Sequence, residues 1–185
     1  FGHGPRFSRG IDVDAAQARM AAGPSGAPAA GPTIDVLGRE SRLTKPLIVV
    51  VHGDTWNLGH EIYLAGDIRI AAAKTEFGQD ENTHGRFPGG GATVRFVRDA
   101  GWGNAMRYML TGDHWSAEES YRMGVTQLVA PTPAAASGAD RRLVRAGTAG
   151  AELVVDPERL ADRLGVASRR TRAALGRHHQ GRCRA

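Results

Sequence analysis

The sequence predicts an α/β fold that contains a parallel sheet. Residues 46–52 (PLIVVVH) form a compact Val-rich run between a proline and a glycine, which is typical of a strand buried on both faces. Residues 58–66 place apolar side chains at helical spacing, and residues 68–72 follow as a second short strand. A strand, a helix and a strand joined by short connections predict a right-handed crossover unit.

Further elements are predicted along the next part of the chain. Residues 101–110 have a helical pattern. A second helix is predicted over 116–123, because Ser116 and Glu119 have the spacing of a capping box. Residues 125–129 then return as a strand, so helices and strands continue to alternate.

The charge is divided unevenly between two parts of the chain. The 185 residues carry 24 Lys+Arg and 19 Asp+Glu, a net charge of +5. Residues 131–185 hold 11 Arg and 5 acids, whereas residues 1–130 hold 13 basic and 14 acidic residues. We therefore expect a core over 1–130 with a net charge of −1, and an Ala/Arg-rich segment over 131–185 that is helical or poorly ordered.

Composition excludes several classes of protein. The single cysteine, Cys183, rules out a disulfide framework and a thiolate zinc site, and it favours a reducing, cytoplasmic compartment. No apolar run approaches the ~20 residues that span a bilayer, so no membrane partner is predicted. The basic segment 131–185 contains no Phe, Tyr or Trp, so its charge does not predict a nucleic-acid partner.

Two glutamates and three glycine-bearing segments are the candidates for chemistry. Glu61 lies near the start of the helix that follows the buried strand, and Glu81 lies twenty positions later. Two such carboxylates can act as base and acid in one site, although most of the 19 acids should be solvated. The segments PRFSRGID, GDTWNLGHE and FPGGGAT could form a phosphate site, an oxyanion hole or ordinary turns. The histidines lack metal-ligand spacing, so no metal site is predicted.

Taken in order, four segments resemble motifs of the enoyl-CoA hydratase/isomerase (crotonase) superfamily from about residue 2 to 131. FSRGID is similar to the family's F-S-x-G-x-D segment, and FPGGGAT to its P-G-x-G-G-T turn. KPLIVVVHGDTWNLGHEIYLAGDIRIAAAKTEFGQDE resembles the family's long central signature without gaps. LTGDHWSAEESYRMGVTQLVAP resembles its L-T-G segment, so several motifs occur in the family's order.

The resemblance implies a crotonase-like spiral of ββα units that is incomplete at the N-terminus. It implies an acyl-CoA thioester as substrate and no separate cofactor, since coenzyme A is part of that substrate. It further implies a homotrimer or a dimer of trimers if the chain is complete. The implied function is an enoyl-CoA hydratase of fatty acid β-oxidation. The alternatives are an isomerase, or a degenerate or fragmentary member that binds acyl-CoA or a partner without turnover.

The resemblance also assigns roles to residues. The backbone N–H groups of Ile11 and Leu58 would form an oxyanion hole. Glu61 would activate the water and Glu81 would deliver a proton to C2. The positions implied to bind substrate are Ser8, Gly10, Asp12, Gly53, Trp56, Gly59, Pro88 and Gly89.

The sequence departs from the family pattern at several points. The family's glycine triplet is Asn57-Leu58-Gly59 here, and we expect Leu58 to donate its N–H if its φ is ordinary. Asp80 stands where proline is common. Trp56 and His60 replace smaller residues, and Trp56 either narrows an acyl pocket or packs as an ordinary aromatic. The family's first strands and C-terminal helices lack clear counterparts. After residue 131 we expect a divergent helical tail or the product of out-of-frame reading.

Overall fold

A computed structural model describes residues 4–22, 35, 37–39, 43 and 45–139. Residues 133–139 are helical, and Glu81–His84 form a 3₁₀ helix. The remaining helices are α1 (Val13–Ala22), α2 (Leu58–Leu64), α3 (Ala92–Ala100), α4 (Trp102–Thr111) and α5 (Ala117–Arg122). The strands are β1 (Ile48–Val51), β2 (Asp54–Trp56), β3 (Ile68–Ala72), β4 (Glu76–Gly78), β5 (Trp115–Ser116) and β6 (Leu128–Ala130).

The described strands form two three-stranded sheets. One sheet has the order β1-β3-β6 with every neighbour parallel. In the other, β2 runs parallel to β4, and β5 pairs antiparallel to β4. The units β1–β2–α2 and β3–β4–α3 therefore repeat the same ββα arrangement. The parallel pairing of β1 with β3 was predicted from the residues, whereas the short strands β2 and β4 were not.

Strand β1 is buried on both faces, as its composition predicts. Val49 and Val51 belong to the larger core, while Val50 belongs to a second cluster on the opposite face. Alternate residues of a strand point to opposite faces, so both faces of this sheet are covered. The larger core also contains Tyr63, Leu64, Phe77, Phe96, Tyr108 and Trp115, and the second contains Ile70, Leu128, Ala136 and Ala139.

Polar contacts fix two of the helices. The Ser116 hydroxyl accepts a hydrogen bond from the N–H of Glu119 at 3.2 Å and caps α5, which confirms half of the predicted capping box. Helix α3 is tied to β3 near its C-terminal end by the ion pair between Arg69 and Asp99, whose N–O distance is 2.6 Å. This anchoring matters because the opposite end of α3 contacts Glu61.

The segment predicted over 131–185 lies mostly outside the described residues. Its first part, residues 133–139, packs Ala136 and Ala139 against the second hydrophobic cluster. Across the parts of the chain that the structure describes, no helix has the length and apolar character needed to cross a membrane.

Candidate active site

The N-terminal FSRGID segment docks beside β2. The N–H of Ser8 donates to the carbonyl of Asp54 at 3.1 Å, and the N–H of Trp56 donates to the carbonyl of Ser8 at 2.8 Å. Gly59 permits this approach, because a Cβ added there would lie 2.7 Å from the Ser8 carbonyl oxygen. The first and second glycine-bearing segments, distant in sequence, therefore meet at one place.

The two predicted oxyanion-hole donors lie on these segments. A Cβ added to Gly10 would lie 3.9 Å from the backbone nitrogen of Leu58, so the residue before Ile11 touches the start of α2. Leu58 is the first residue of α2, where N–H groups have no partner inside the helix. Neither Ile11 nor Leu58 donates its N–H to an acceptor among the described residues. Their role in an oxyanion hole stays a prediction.

Asn57 adopts a backbone conformation that favours glycine. Its φ is 52° and its ψ is −119°, and it is the one described non-glycine residue with positive φ. Such a conformation costs about 1–3 kcal/mol and persists where surrounding contacts enforce it. The Asn57 amide donates to Asp80 Oδ1 at 2.7 Å and accepts from the Asp80 N–H at 3.0 Å. The positive φ of this turn therefore lies at Asn57, while Leu58 is the first residue of α2.

The carboxylate of Glu61 is held by the main chain. Glu61 is 3% exposed, and its Oε1 accepts hydrogen bonds from the N–H groups of Gly90 at 2.6 Å and Ala92 at 3.1 Å. These N–H groups belong to the N-terminal end of α3, where a negative charge is favourable. A Cβ added to Gly90 would lie 2.5 Å from Glu61 Oε2. The third glycine-bearing segment therefore fixes and shapes the surroundings of this carboxylate.

The carboxylate of Glu81 is held by a side chain. Nε2 of Gln79 donates to both carboxylate oxygens of Glu81 at 2.9 Å. Burial raises the pKa of Glu81, the hydrogen bonds from Gln79 oppose this rise, and the negative charges of Glu61 and Asp80 add to it. The negative charge of Glu61 thus contributes to the raised pKa of Glu81, which supports the prediction that the two glutamates share one site.

His60 stands behind Gln79 in a fully buried aromatic cage. Its ring centroid lies 5.8, 5.0 and 5.1 Å from those of Phe77, Phe96 and Trp115. Burial lowers the pKa of His60 to about 4, so the imidazole is neutral at neutral pH. Nδ1 lies 2.5 Å from Oε1 of Gln79, an acceptor, which assigns the proton to Nδ1. The sequence marked His60 only as a departure from the family pattern, and it gave no role to Gln79.

Trp56 packs between two charged or polar neighbours, and its contact with an acyl group stays a prediction. The guanidinium carbon of Arg9 lies 4.4 Å from one Trp56 ring centroid, and the ring of His114 lies 4.4 Å away. His114 also approaches Asp80 Oδ2 at 3.2 Å. Burial alone would raise the pKa of Asp80, but the hydrogen bonds from Asn57 and His114 outweigh it and hold that pKa below its usual value.

Three predicted substrate-binding residues make structural contacts of their own, and a fourth is buried. Oδ1 of Asp12 accepts the N–H of Ala15 at 2.9 Å and so caps the start of α1. Gly53 has φ 59° and packs against the backbone of residues 5–6. Pro88 is buried, whereas Gly89 is exposed and its carbonyl accepts from Arg39. Their contact with substrate stays a prediction.

The assembled groups are suited to stabilising a negative oxygen and moving protons. Backbone N–H donors without internal acceptors can stabilise an oxyanion. Glu61 Oε2 accepts no hydrogen bond from a described residue, so it is available to a ligand or a water. The part of the chain described here contains no group of three or more His, Cys, Asp or Glu residues that could hold a metal ion.

Comparisons with known proteins agree with this geometry. The enoyl-CoA hydratase/isomerase family model matches residues 2–148. Enoyl-CoA hydratase EchA19 of Mycobacterium tuberculosis is 37% identical over 131 residues, which cover 70% of this chain and 49% of the relative. The protein named probable enoyl-CoA hydratase echA17 in Mycobacterium avium is 32% identical over 180 residues, covering 92% and 69%. The crystal structure of a probable enoyl-CoA hydratase/isomerase from Mycobacterium abscessus superposes with a TM-score of 0.64 at 32% identity, covering 97% of this chain and 76% of that one.

The chain covers only part of the length of several curated relatives. The chain spans 49%, 33%, 31% and 38% of the length of four curated relatives that it matches. The family match nevertheless continues past residue 131, where the recognisable motifs end, to residue 148. Ordered motifs, stacked ββα units and the likeness to these proteins lead to one conclusion: the chain belongs to the enoyl-CoA hydratase/isomerase (crotonase) family.

Proposed function

We propose that the protein is an enoyl-CoA hydratase, which adds water across the C2=C3 double bond of a 2-enoyl-CoA thioester. The observation that carries this proposal is that two carboxylates, Glu61 and Glu81, are each held in place by hydrogen bonds, and that the negative charge of Glu61 adds to the raised pKa of Glu81. Relatives that are 37% and 32% identical and are named enoyl-CoA hydratases support the same reaction class.

The thioester oxygen is the atom that needs stabilisation. When hydroxide adds to C3, electron density moves through C2 and the carbonyl oxygen of the thioester becomes an enolate oxygen. The N–H groups of Ile11 and Leu58 would donate to it. Fixed donors of this kind lower the energy of the charged state more than water does, because they need no reorganisation. Backbone donors also explain why the exposed side chain of Ile11 needs no reactive group.

Protons are handled by the two glutamates. Glu61 Oε2 takes a proton from the water as its oxygen bonds to C3. Glu81 donates a proton to C2, and the enolate collapses to the saturated thioester. The raised pKa of Glu81 supports its role as the acid, since its protonated form is retained to higher pH than for an ordinary glutamate.

The proposal also covers the compartment, the pathway, the cofactor requirement and the assembly of the protein. We place the enzyme in the cytoplasm, in fatty acid β-oxidation, with coenzyme A as part of the substrate and no separate cofactor. A homotrimer or dimer of trimers is proposed as the assembly. Val94, Trp102 and Leu110 support an assembly of some kind, because they are large apolar side chains of α3 and α4 that are 68–71% exposed.

The test is hydration of crotonyl-CoA by the 185-residue chain, followed as loss of the conjugated enoyl absorbance. Glu61→Gln and Glu81→Gln should each lower kcat by about 10²–10⁴-fold, the usual contribution of a general acid or base. Glu118→Gln is the matched control, because Glu118 is an exposed glutamate of α5. Unchanged rates in the two site variants would contradict the roles. Crotonyl-CoA binding without turnover would instead favour the degenerate member.

A further inference from the structure

We propose that Asn57 and Asp80 are paired positioning residues, which lock the turn before Leu58 to the turn before Glu81. The inference rests on the proposed function for its catalytic meaning. The pair would hold the Leu58 N–H and the Glu81 carboxyl group in a fixed relation to each other. Neither side chain needs to touch the substrate.

The two residues stand next to the two groups that they would position. Asn57 immediately precedes Leu58, and Asp80 immediately precedes Glu81, although the pair is separated by 23 residues. Two hydrogen bonds of the Asn57 side chain join them, from Asn57 Nδ2 to Asp80 Oδ1 at 2.7 Å and from the main-chain N–H of Asp80 to Asn57 Oδ1 at 3.0 Å. A third bond joins the same turns through the main chain, from the Asn57 N–H to the carbonyl of Gly78 at 2.9 Å.

The conformation of Asn57 explains why this turn needs an external support. The peptide unit is planar, so ψ of Asn57 sets the direction of the Leu58 N–H. Asn57 holds φ 52° and ψ −119°, values that glycine adopts freely and other residues rarely do. Without the bonds to Asp80, relaxation of Asn57 toward negative φ would rotate the Leu58 N–H away from its present direction.

Asp80 is itself held from two other sides. Its Oδ2 lies 3.2 Å from Nε2 of His114. Its carbonyl accepts the N–H of Thr83 at 3.0 Å and the Thr83 hydroxyl at 2.8 Å. Asp80 is therefore a fixed point, and the bonds from Asn57 transfer that fixed position to the turn before Leu58.

The pairing also links two departures from the family motif. Glycine at position 57 would have no side chain to bond, and proline at position 80 would have no N–H to donate to Asn57 Oδ1. The two substitutions thus depend on each other chemically. Asn57 occupies a glycine conformation with the help of an Asp80 N–H that proline would remove.

Amide hydrogen exchange tests the pair without reference to activity. In the 185-residue chain, Asn57→Ala should raise exchange at residues 77–84, and Asp80→Ala should raise it at residues 54–60, each by about threefold or more. Residues 68–72 of β3, which pair with β1 and β6, report on general loss of structure and should not change. If Asn57→Ala does not fold, Asn57→Gly replaces it in this experiment, because glycine accepts positive φ and also lacks the amide side chain. Exchange that rises only in the mutated turn would overturn the proposal.

Hydration kinetics supply the second measurement. Asn57→Ala should lower kcat about tenfold with little change in KM, and Asn57→Ala/Asp80→Ala should lose no more than Asn57→Ala alone. Asp80→Asn keeps an oxygen acceptor and should lose less than Asp80→Ala. Losses that multiply in the double variant would overturn the pair while leaving the hydratase intact. A wild-type chain without hydration would overturn the proposed function, and the exchange result would still decide the pair.

Discussion

The two candidate catalytic glutamates are held in contrasting ways. Glu61 is bound by N–H groups of the main chain at the start of α3. Glu81 is bound by the side chain of Gln79, which in turn contacts the buried His60. A main-chain support persists whatever side chains the helix carries, provided that no side chain fills its space. A side-chain support depends on the identity of each residue behind it. An added side chain near Glu61 should therefore displace its carboxylate. The Glu81 carboxylate should instead be disturbed by loss of the side chain that binds it.

The largest expected effect comes from crowding the Glu61 side. Gly90→Ala adds a Cβ that would lie 2.5 Å from Glu61 Oε2, so the carboxylate must move. We expect hydration of crotonyl-CoA to fall by about 10²-fold, because displacements of about 1 Å at a reacting group have effects of this size. Steady-state kinetics and a thermal unfolding curve should show a folded enzyme with a low kcat.

Gly103→Ala provides the control for the Gly90 variant. Gly103 lies in α4, and no described atom is within 4 Å of a Cβ added there, so alanine should leave the rate unchanged and improve helix stability slightly. If Gly90→Ala hydrates crotonyl-CoA as fast as Gly103→Ala, Glu61 is not restrained by α3 in the way that we describe.

The next effect comes from removing the partner on the Glu81 side. Gln79→Met keeps the volume but removes the two N–H bonds to the Glu81 carboxylate. Those bonds stabilise the charged form and lower the pKa of Glu81, so their loss should raise that pKa further. We expect a roughly tenfold lower kcat, and the limb of the pH–rate profile that reports Glu81 should move to higher pH.

Gln127→Met is the control for the Gln79→Met variant. Among the described residues, the Gln127 side chain bonds only to backbone groups, which include the N–H of Arg69 and the carbonyl of Gly124. Gln127→Met should change stability without moving the pH–rate profile. A Gln79→Met profile that coincides with the wild-type profile would mean that Glu81 does not carry the titrating proton.

The same contrast explains what could be predicted from the sequence. Main-chain features follow from glycines, apolar runs and capping residues, so the buried strand β1, the helix that starts near Glu61 and the cap at Ser116 were all predictable. The resemblance to the family then indicated both glutamates. Side-chain supports depend on contacts between distant positions, such as His60 with Gln79, and local patterns carry no signal for them.

The backbone conformation of Asn57 also could not be predicted from the local sequence. The family pattern marked position 57 as a glycine that had been replaced. It did not indicate that the replacement would keep a φ of 52°, because that outcome depends on Asp80, 23 residues away. Short strands such as β2 and β4 were missed for a related reason. Three residues are too few for a periodic pattern, and these strands exist through pairing with each other.

The smallest expected change in hydration rate comes from His60, which contacts the Glu81 carboxylate only through Gln79. His60→Asn keeps a donor that can face Gln79, so kcat at neutral pH should fall only about threefold. Stability should respond differently. The folded-state pKa of His60 is about 4 against 6.5 for the free side chain, so the unfolded chain binds the proton more readily. The stabilisation is present above pH 6.5 and is lost as the pH falls toward 4.

Urea unfolding at pH 7 and pH 5 measures this loss. The wild-type chain should lose about 2 kcal/mol of unfolding free energy between these two pH values through His60 alone, and His60→Asn should lack that component. His84→Asn is the matched control, since His84 is an exposed histidine. Equal pH dependence in the wild type and His60→Asn would show that His60 is not kept neutral by its aromatic cage. The Nδ1 donor to Gln79, and with it the side-chain support of Glu81, would then need to be reassigned.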